Sequence, residues 1–289
     1  MKLGVLADCF GLPLHEGIQT AARLGAQGVQ LYAVEGELSV QSTGEYRRAL
    51  ARLVADSGLT ISAVCGDLGW GGFAYPERNP EKIKTTCGII DLALDLGCTV
   101  ITTHIGVVPE SAEHPRYRVL QDACGTIAEY ARRQGACLAI ETGPERAETL
   151  AAFIDSVNNP ALAANLDPAN LIMTVHQDSV QAVHALRGKF PHTHAKDGRF
   201  FKACDPDVMY EMPGADLNGY DESEYCAEVP LGQGEVDFPR YLAALQASGY
   251  DGFLTIERET GDNPARDIQI ALDFLRDQLD QLKGDVRHE

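Results

Sequence analysis

The 289-residue chain reads as a single-domain (β/α)8 barrel. Short apolar runs of strand length alternate eight times with longer amphipathic stretches of helical period. Many of the helical stretches stop at a glycine just before the next strand, at Gly25, Gly58, Gly97, Gly135, Gly188 and Gly249. No composition shift divides the chain, and barrels of about 250 residues regularly form one domain. Alternation of this kind implies parallel strands joined by right-handed crossovers, and eight units favour a closed barrel over an open sheet.

In chain order, strands are expected at 3–7, 28–32, 60–65, 99–104, 137–141, 163–167, 192–196 and 252–257. The intervening helices are expected at 15–25, 43–58, 80–97, 117–135, 146–157, 179–188, 237–249 and 263–283. The first strand, in MKLGVLADCF, lacks the long apolar region and small-residue cleavage site of a signal peptide. The sixth unit is the weakest, because its helix is short. In the last helix the apolar stripe of LDFLRDQLDQL is expected to cover the barrel.

Two stretches break the rhythm. A loop at about 198–234 leaves the seventh strand, so it belongs on the face where strand ends converge. It reads as a lid or substrate wall, with a surface excursion or an oligomer contact as the alternative. After the third strand, CGDLGWGGFAYPERNP carries Trp70, the chain's one tryptophan. Trp70 is a candidate to pack against a sugar face, and a plain hydrophobic plug is the competing reading.

Composition excludes several classes. Hydrophobic residues make up 45 % and charged residues 23 %, which is ample for a core. No run reaches the roughly 18 apolar residues of a membrane helix. The eight cysteines are scattered without a CxxC pair, so neither a structural zinc site nor a disulfide framework is indicated. A cytoplasmic location follows. The net charge of −18, with 24 basic and 42 acidic residues and no Lys/Arg cluster, argues against a nucleic-acid partner.

The chemistry is carried by four strand ends. Glu141 in CLAIETG, Asp167 in LAANLDPAN, His194 in FPHTHAKDG and Glu257 in GFLTIERE close the last four strands. Each alone has a bland reading: a solvated strand end for the glutamates, an Asx turn for Asp167 before Pro168, a hydrogen-bonded core imidazole for the histidine. Four hard ligands converging on one barrel mouth form an oxygen-rich site for a divalent cation. Three carboxylates and an imidazole suit Mn²⁺ first, and also admit Mg²⁺, Co²⁺ or Zn²⁺. His192, two residues before His194 on the same strand face, reads as a buried hydrogen-bonded histidine. His104, Asn170 and Lys196 stand where they would bind substrate, together with Trp70. His104 could instead serve a second metal, and Lys196 and Asp197 could orient the ligands from behind. No dinucleotide fingerprint, P-loop or GxSxG elbow occurs.

Across essentially its whole length the chain resembles the sugar phosphate isomerase/epimerase family, the xylose isomerase-like TIM barrels that also include endonuclease IV. The resemblance rests on HIG at 104–106, IETG at 140–143, LDPANL at 166–171, HAKDG at 194–198, PLGQGEVDF at 230–238 and GYDGFLTIERE at 249–259. It implies that Glu141, Asp167, His194 and Glu257 bind the metal. It also implies that Glu141 and Glu257 exchange protons with a sugar carbon beside a polarised carbonyl. Ketose 3-epimerases of the family carry a second glutamate six residues after the first, where Ala147 stands here. They carry a histidine three residues after the aspartate, where Asn170 stands. Their arginine six residues after the histidine ligand falls at Phe200, with Arg199 one position short. That substrate-clamping set is not reproduced.

The function expected is therefore a metal-dependent isomerase or epimerase in carbohydrate metabolism, acting on a sugar, keto-sugar or polyol. An inosose dehydratase-like lyase on the same scaffold is the alternative. An endonuclease IV-like nuclease would need extra histidines and a basic face. A non-catalytic sugar or metal sensor would not require four intact ligands. The absence of an obvious phosphate cradle tilts the substrate toward an unphosphorylated one. Homo-oligomerisation is left open by analogy with such barrels.

Overall fold

The strands are buried along most of their length instead of alternating in and out, the pattern of a parallel sheet covered by helices. The computed structural model describes residues 1–69 and 71–285. The elements run β1 (Lys2–Leu6), α1 (Leu14–Arg23), β2 (Gly28–Tyr32), α2 (Gly44–Asp56), β3 (Thr60–Cys65), α3 (Asn79–Asp95) and β4 (Val100–Thr103). They continue α4 (Pro115–Gln134), β5 (Cys137–Glu141), α5 (Ala147–Val157), β6 (Leu162–Leu166), α6 (Pro168–Val175), α7 (Ser179–Ala185) and β7 (His192–Ala195). The chain ends β8 (Asp197–Phe200), α8 (Pro206–Met209), β9 (Cys226–Val229), α9 (Phe238–Ala247), β10 (Phe253–Ile256) and α10 (Pro264–Asp285).

Eight strands close a parallel barrel in the order β1-β10-β7-β6-β5-β4-β3-β2, with β1 paired to both β10 and β2. The (β/α)8 barrel read from the sequence is the observed fold. All six helix-ending glycines take positive φ, between 74° and 87°, as a left-handed helix stop requires. Along α10, Ile268, Leu272, Leu275 and Leu279 are buried in the core, so its stripe covers the barrel. No described helix is long and apolar enough to cross a membrane.

Three details differ from the sequence reading. The first strand ends at Leu6, because residues Ala7–Phe10 turn into a short 3-10 helix. An additional helix, α6, starts directly after β6. Asp167 caps it and Pro168 occupies its first position, where a missing N–H costs nothing. It escaped detection because Pro168 to Thr174 are all buried, leaving no amphipathic period to read. The excursion over the mouth is also not structureless. Its two legs pair as an antiparallel ribbon, β8 with β9, from Asp197↔Val229 to Phe200↔Cys226.

Candidate active site

The barrel's closing order makes β5, β6, β7 and β10 neighbours, and each delivers one candidate ligand at its C-terminal end. Glu141 is the last residue of β5, Asp167 follows β6, His194 lies within β7 and Glu257 follows β10. The four are buried, and one ligand atom from each lies within 4.8 Å of all the others. His194 Nδ1 is the centre of the group. It stands 3.2 Å from Asp167 Oδ2 and 3.4 Å from both Glu141 Oε1 and Glu257 Oε2. Asp167 divides its oxygens: Oδ1 accepts from the Ala169 and Asn170 amides, each at 2.8 Å, and Oδ2 faces His194.

Below the ligands the barrel interior is polar, and its hydrogen bonds orient the imidazole. Gln30 donates through Nε2 to Thr102 Oγ1 at 2.9 Å, which leaves Oε1 to accept from His194 Nε2 at 2.9 Å. With Nε2 held by Gln30, Nδ1 is the nitrogen turned to the carboxylate cluster, and a bound metal would take its lone pair in place of a proton. Asn165 donates to Glu141 Oε2 at 3.4 Å and holds His192 Nδ1 at 2.8 Å through its carbonyl, while His192 Nε2 meets Thr255 Oγ1 at 2.8 Å. His192 is the buried, bonded histidine expected of it. Gln30, Thr102, Asn165 and Asp67 were not singled out from the sequence. The one available signal was a polar residue inside an apolar strand, as in GVQLY and LAANL.

The electrostatics call for positive charge. Burial works against a charged His194, but Glu257 and Glu141, with a hydrogen bond donated to Asp167, outweigh it and hold the ring well above the usual histidine range. Burial pushes Asp167 up, opposed by His194 and Lys196. Burial also opposes ionisation of Glu257, yet His194 and Lys196 prevail and hold it well below the usual carboxylate range. Lys196 donates to Glu257 Oε2 at 2.9 Å and to Glu259 Oε2 at 2.5 Å. Three buried carboxylates around one imidazole fit a hard divalent cation, which would supply the compensating charge.

Around the mouth, Asn170 donates to Glu141 Oε1 at 2.9 Å, so this proposed substrate residue also steadies a ligand. His104 follows β4, its Nδ1 2.9 Å from Asp67 Oδ2 and its Nε2 3.9 Å from Glu141 Oε1. Burial disfavours charge on His104, but Glu141 and Asp67 raise its pKa to about 9. Among the described residues the cluster of potential metal ligands is that of Glu141, Asp167, His194 and Glu257, and it leaves His104 outside. Trp70 lies outside the described residues.

One expectation is corrected. Lys196 does back a ligand, but Asp197 does not. Its carboxylate accepts from the backbone amides of Gly198, Gly232, Gly234 and Val236 and so closes the base of the excursion. The excursion then folds over the mouth. Tyr210 and Met212 are buried, the Tyr210 ring is 5.7 Å from that of His104, and a Cβ added at Gly143 would meet Tyr210 Oη at 2.7 Å. Arg116 on α4 pairs with Asp207 of α8 through two hydrogen bonds of 2.9 and 2.7 Å. Beside this contact, Glu145 is fully buried. Its Oε2 accepts from the Val108 amide at 3.0 Å, and its Oε1 has no hydrogen-bond partner among the described residues. Burial pushes its carboxyl up to about 8, against the pull of Val108, His104 and Arg116.

A closed parallel barrel with an acidic, single-imidazole ligand set at its C-terminal mouth defines the class. A profile of the xylose isomerase-like TIM barrel family matches residues 18–278, and the chain belongs to that family. Among curated proteins it is similar to L-ribulose-5-phosphate 3-epimerase UlaE of Escherichia coli, at 25% identity over 91% of this chain and 89% of that protein. A crystal structure of a xylose isomerase domain protein from Planctomyces limnophilus superposes with a TM-score of 0.80 at 28% identity, covering 98% of each chain. An L-ribulose 3-epimerase structure shares the fold with a TM-score of 0.74 at 17% identity, covering 99% of this chain and 97% of that one. Homologues of the chain are thus sugar epimerases.

Proposed function

We propose that this protein is a divalent-metal-dependent sugar isomerase or epimerase that works by proton abstraction beside a carbonyl. One observation carries the reading. Glu141 and Glu257 come from β5 and β10, on either side of the β6–β7 pair, and reach the same His194 Nδ1 at 3.4 Å each. Two carboxylates converging on one centre from separate strands suit removal of a proton by one and its return by the other. The similarity to a ribulose phosphate epimerase supports a sugar substrate.

Glu141, Asp167, His194 and Glu257 would hold the cation, Mn²⁺ before Mg²⁺, Co²⁺ or Zn²⁺. When bound, it would supply Lewis-acid polarisation of the substrate carbonyl. The rest falls to the protein. With His194, Lys196 keeps Glu257 ionised, and Lys196 would touch substrate from within that ion pair. Asn170 and Asn165 restrain Glu141, and His104, fixed by Asp67, would face a substrate oxygen. The partner is a small sugar or polyol, with no nucleic acid or membrane involved.

The test is deuterium uptake followed by NMR. Mn²⁺-loaded protein in D2O is offered ketoses, inososes and 3-keto-glycosides, with Glu257→Gln as control. Exchange at a carbon beside the carbonyl, absent from the control, is expected. Loss of a β-hydroxyl from the product would assign the dehydratase-like alternative, and no exchange with any of them would sink the proposal for these substrates.

A further inference from the structure

On the basis of that sugar-converting site, we infer that its substrate is uncharged, so that an unphosphorylated keto-sugar or polyol is taken and its phosphate ester is rejected. The inference rests on the positions of the cations around the mouth and on what each is bonded to. Phosphate recognition needs donors free to face a dianion, such as an arginine fork, a lysine, or amides at a helix N-terminus.

Four basic residues approach the mouth from its walls, and each is already committed. Lys196 is bonded to Glu257 and Glu259. Arg258 holds Glu228 at 2.5 Å and Asp267 at 3.0 Å. Arg116 forms the two-bonded pair with Asp207, and Lys82 donates to the Gly72 carbonyl at 2.6 Å. Among the other described basic residues of the strand-to-helix loops, Arg199 binds the Gln233 carbonyl and Lys202 pairs with Glu224. Arg78 and Arg146 lie exposed on the rim. The helix N-terminus nearest the ligands, that of α6, has two of its amides occupied by Asp167.

The surrounding charge has the opposite sign. A divalent ion and Lys196 only balance the three carboxylates of the cluster, and Asp67 and Glu259 then outnumber His104 at the same mouth, so the loaded mouth stays net negative. A phosphate a few bonds from the reacting carbon would lie within about one Debye length, roughly 8–10 Å, of these groups. Hydroxyls meet no such penalty, and Asn170 offers them an acceptor while His104 offers a donor. On this point the chain departs from its ribulose phosphate epimerase relative, whose name specifies a phosphorylated substrate.

Two measurements on the Mn²⁺-loaded full chain decide it. In D2O, ketopentoses and their 5-phosphates are compared pairwise, and the free sugars are expected to exchange with a kcat/KM at least about tenfold higher. Faster exchange of the phosphate esters overturns the inference and leaves the proton-abstraction reading standing. If neither exchanges, that reading fails for ketopentoses, and calorimetric binding of ribitol against ribitol 5-phosphate still decides the charge preference. Tighter binding of ribitol supports the inference. Tighter binding of the phosphate, or binding of neither, overturns it.

Discussion

The two halves of the barrel have different duties at the mouth. The half made of β5, β6, β7 and β10 supplies all four residues of the candidate metal-binding cluster. The half made of β1 to β4 supplies none among the described residues, yet it sets their state: Gln30 on β2 orients His194, Thr102 on β4 anchors Gln30, and Asp67 after β3 fixes His104. One half holds the charge and the other decides which proton sits where. The difference shows that a candidate ligand set drawn from contiguous strands depends on residues across the barrel such as Gln30, because a buried imidazole has two nitrogens and only one could face a cation.

Variants that separate the halves should differ in kind as well as size. The largest effect belongs to the half that carries the cluster: Glu257→Gln is expected to lower C–H exchange by roughly 10³-fold or more, since it removes both a proposed ligand and a proposed base. The same half holds a buried carboxyl outside the cluster, Glu145, which tests whether burial alone is costly there. Its pKa in the folded protein is raised to about 8 from 4.5, so its contribution to stability is complete below pH 4.5 and is lost as pH rises through 8. Glu145→Gln should flatten that decline and gain on the order of 2–3 kcal/mol over wild type at pH 8 in denaturant titrations. A slope unchanged by the substitution would assign the pH dependence to other groups.

In the supporting half, Gln30→Leu should weaken Mn²⁺ binding by about 10- to 100-fold, measured by direct titration, whereas Gln30→Glu keeps the acceptor and most of the affinity. Equal loss in both variants would mean that Gln30 acts only through packing. The smallest effect is at Asp67. Asp67→Asn should lower kcat/KM about tenfold through a misdirected His104, with metal affinity within about twofold of wild type. A large loss of metal affinity there would place His104 among the ligands and erase the division between the halves.

The excursion shows where sequence reading stops short. Its length and departure point are legible, but its ribbon is not, because HAKDGRFF and YCAEVP pair across an intervening stretch with no repeating pattern. Asp197 looks like a companion of the ligand before it. Only the closed loop shows that four backbone amides collect on it. The helix after Asp167 is hidden for the opposite reason: it is buried on every side, and a helix without a wet face has no period to detect.

From its sequence alone, the chain's barrel and the convergence of Glu141, Asp167, His194 and Glu257 on one mouth follow, because strand length, helical period and glycine stops are local properties and each of the four stands at the end of a strand. What tertiary structure alone decided is the state of those ligands. Gln30 and His194 are 164 residues apart, and Asp67 and His104 are 37 apart. Whether such residues meet depends on barrel closure and register, which bring side chains from opposite walls into one interior.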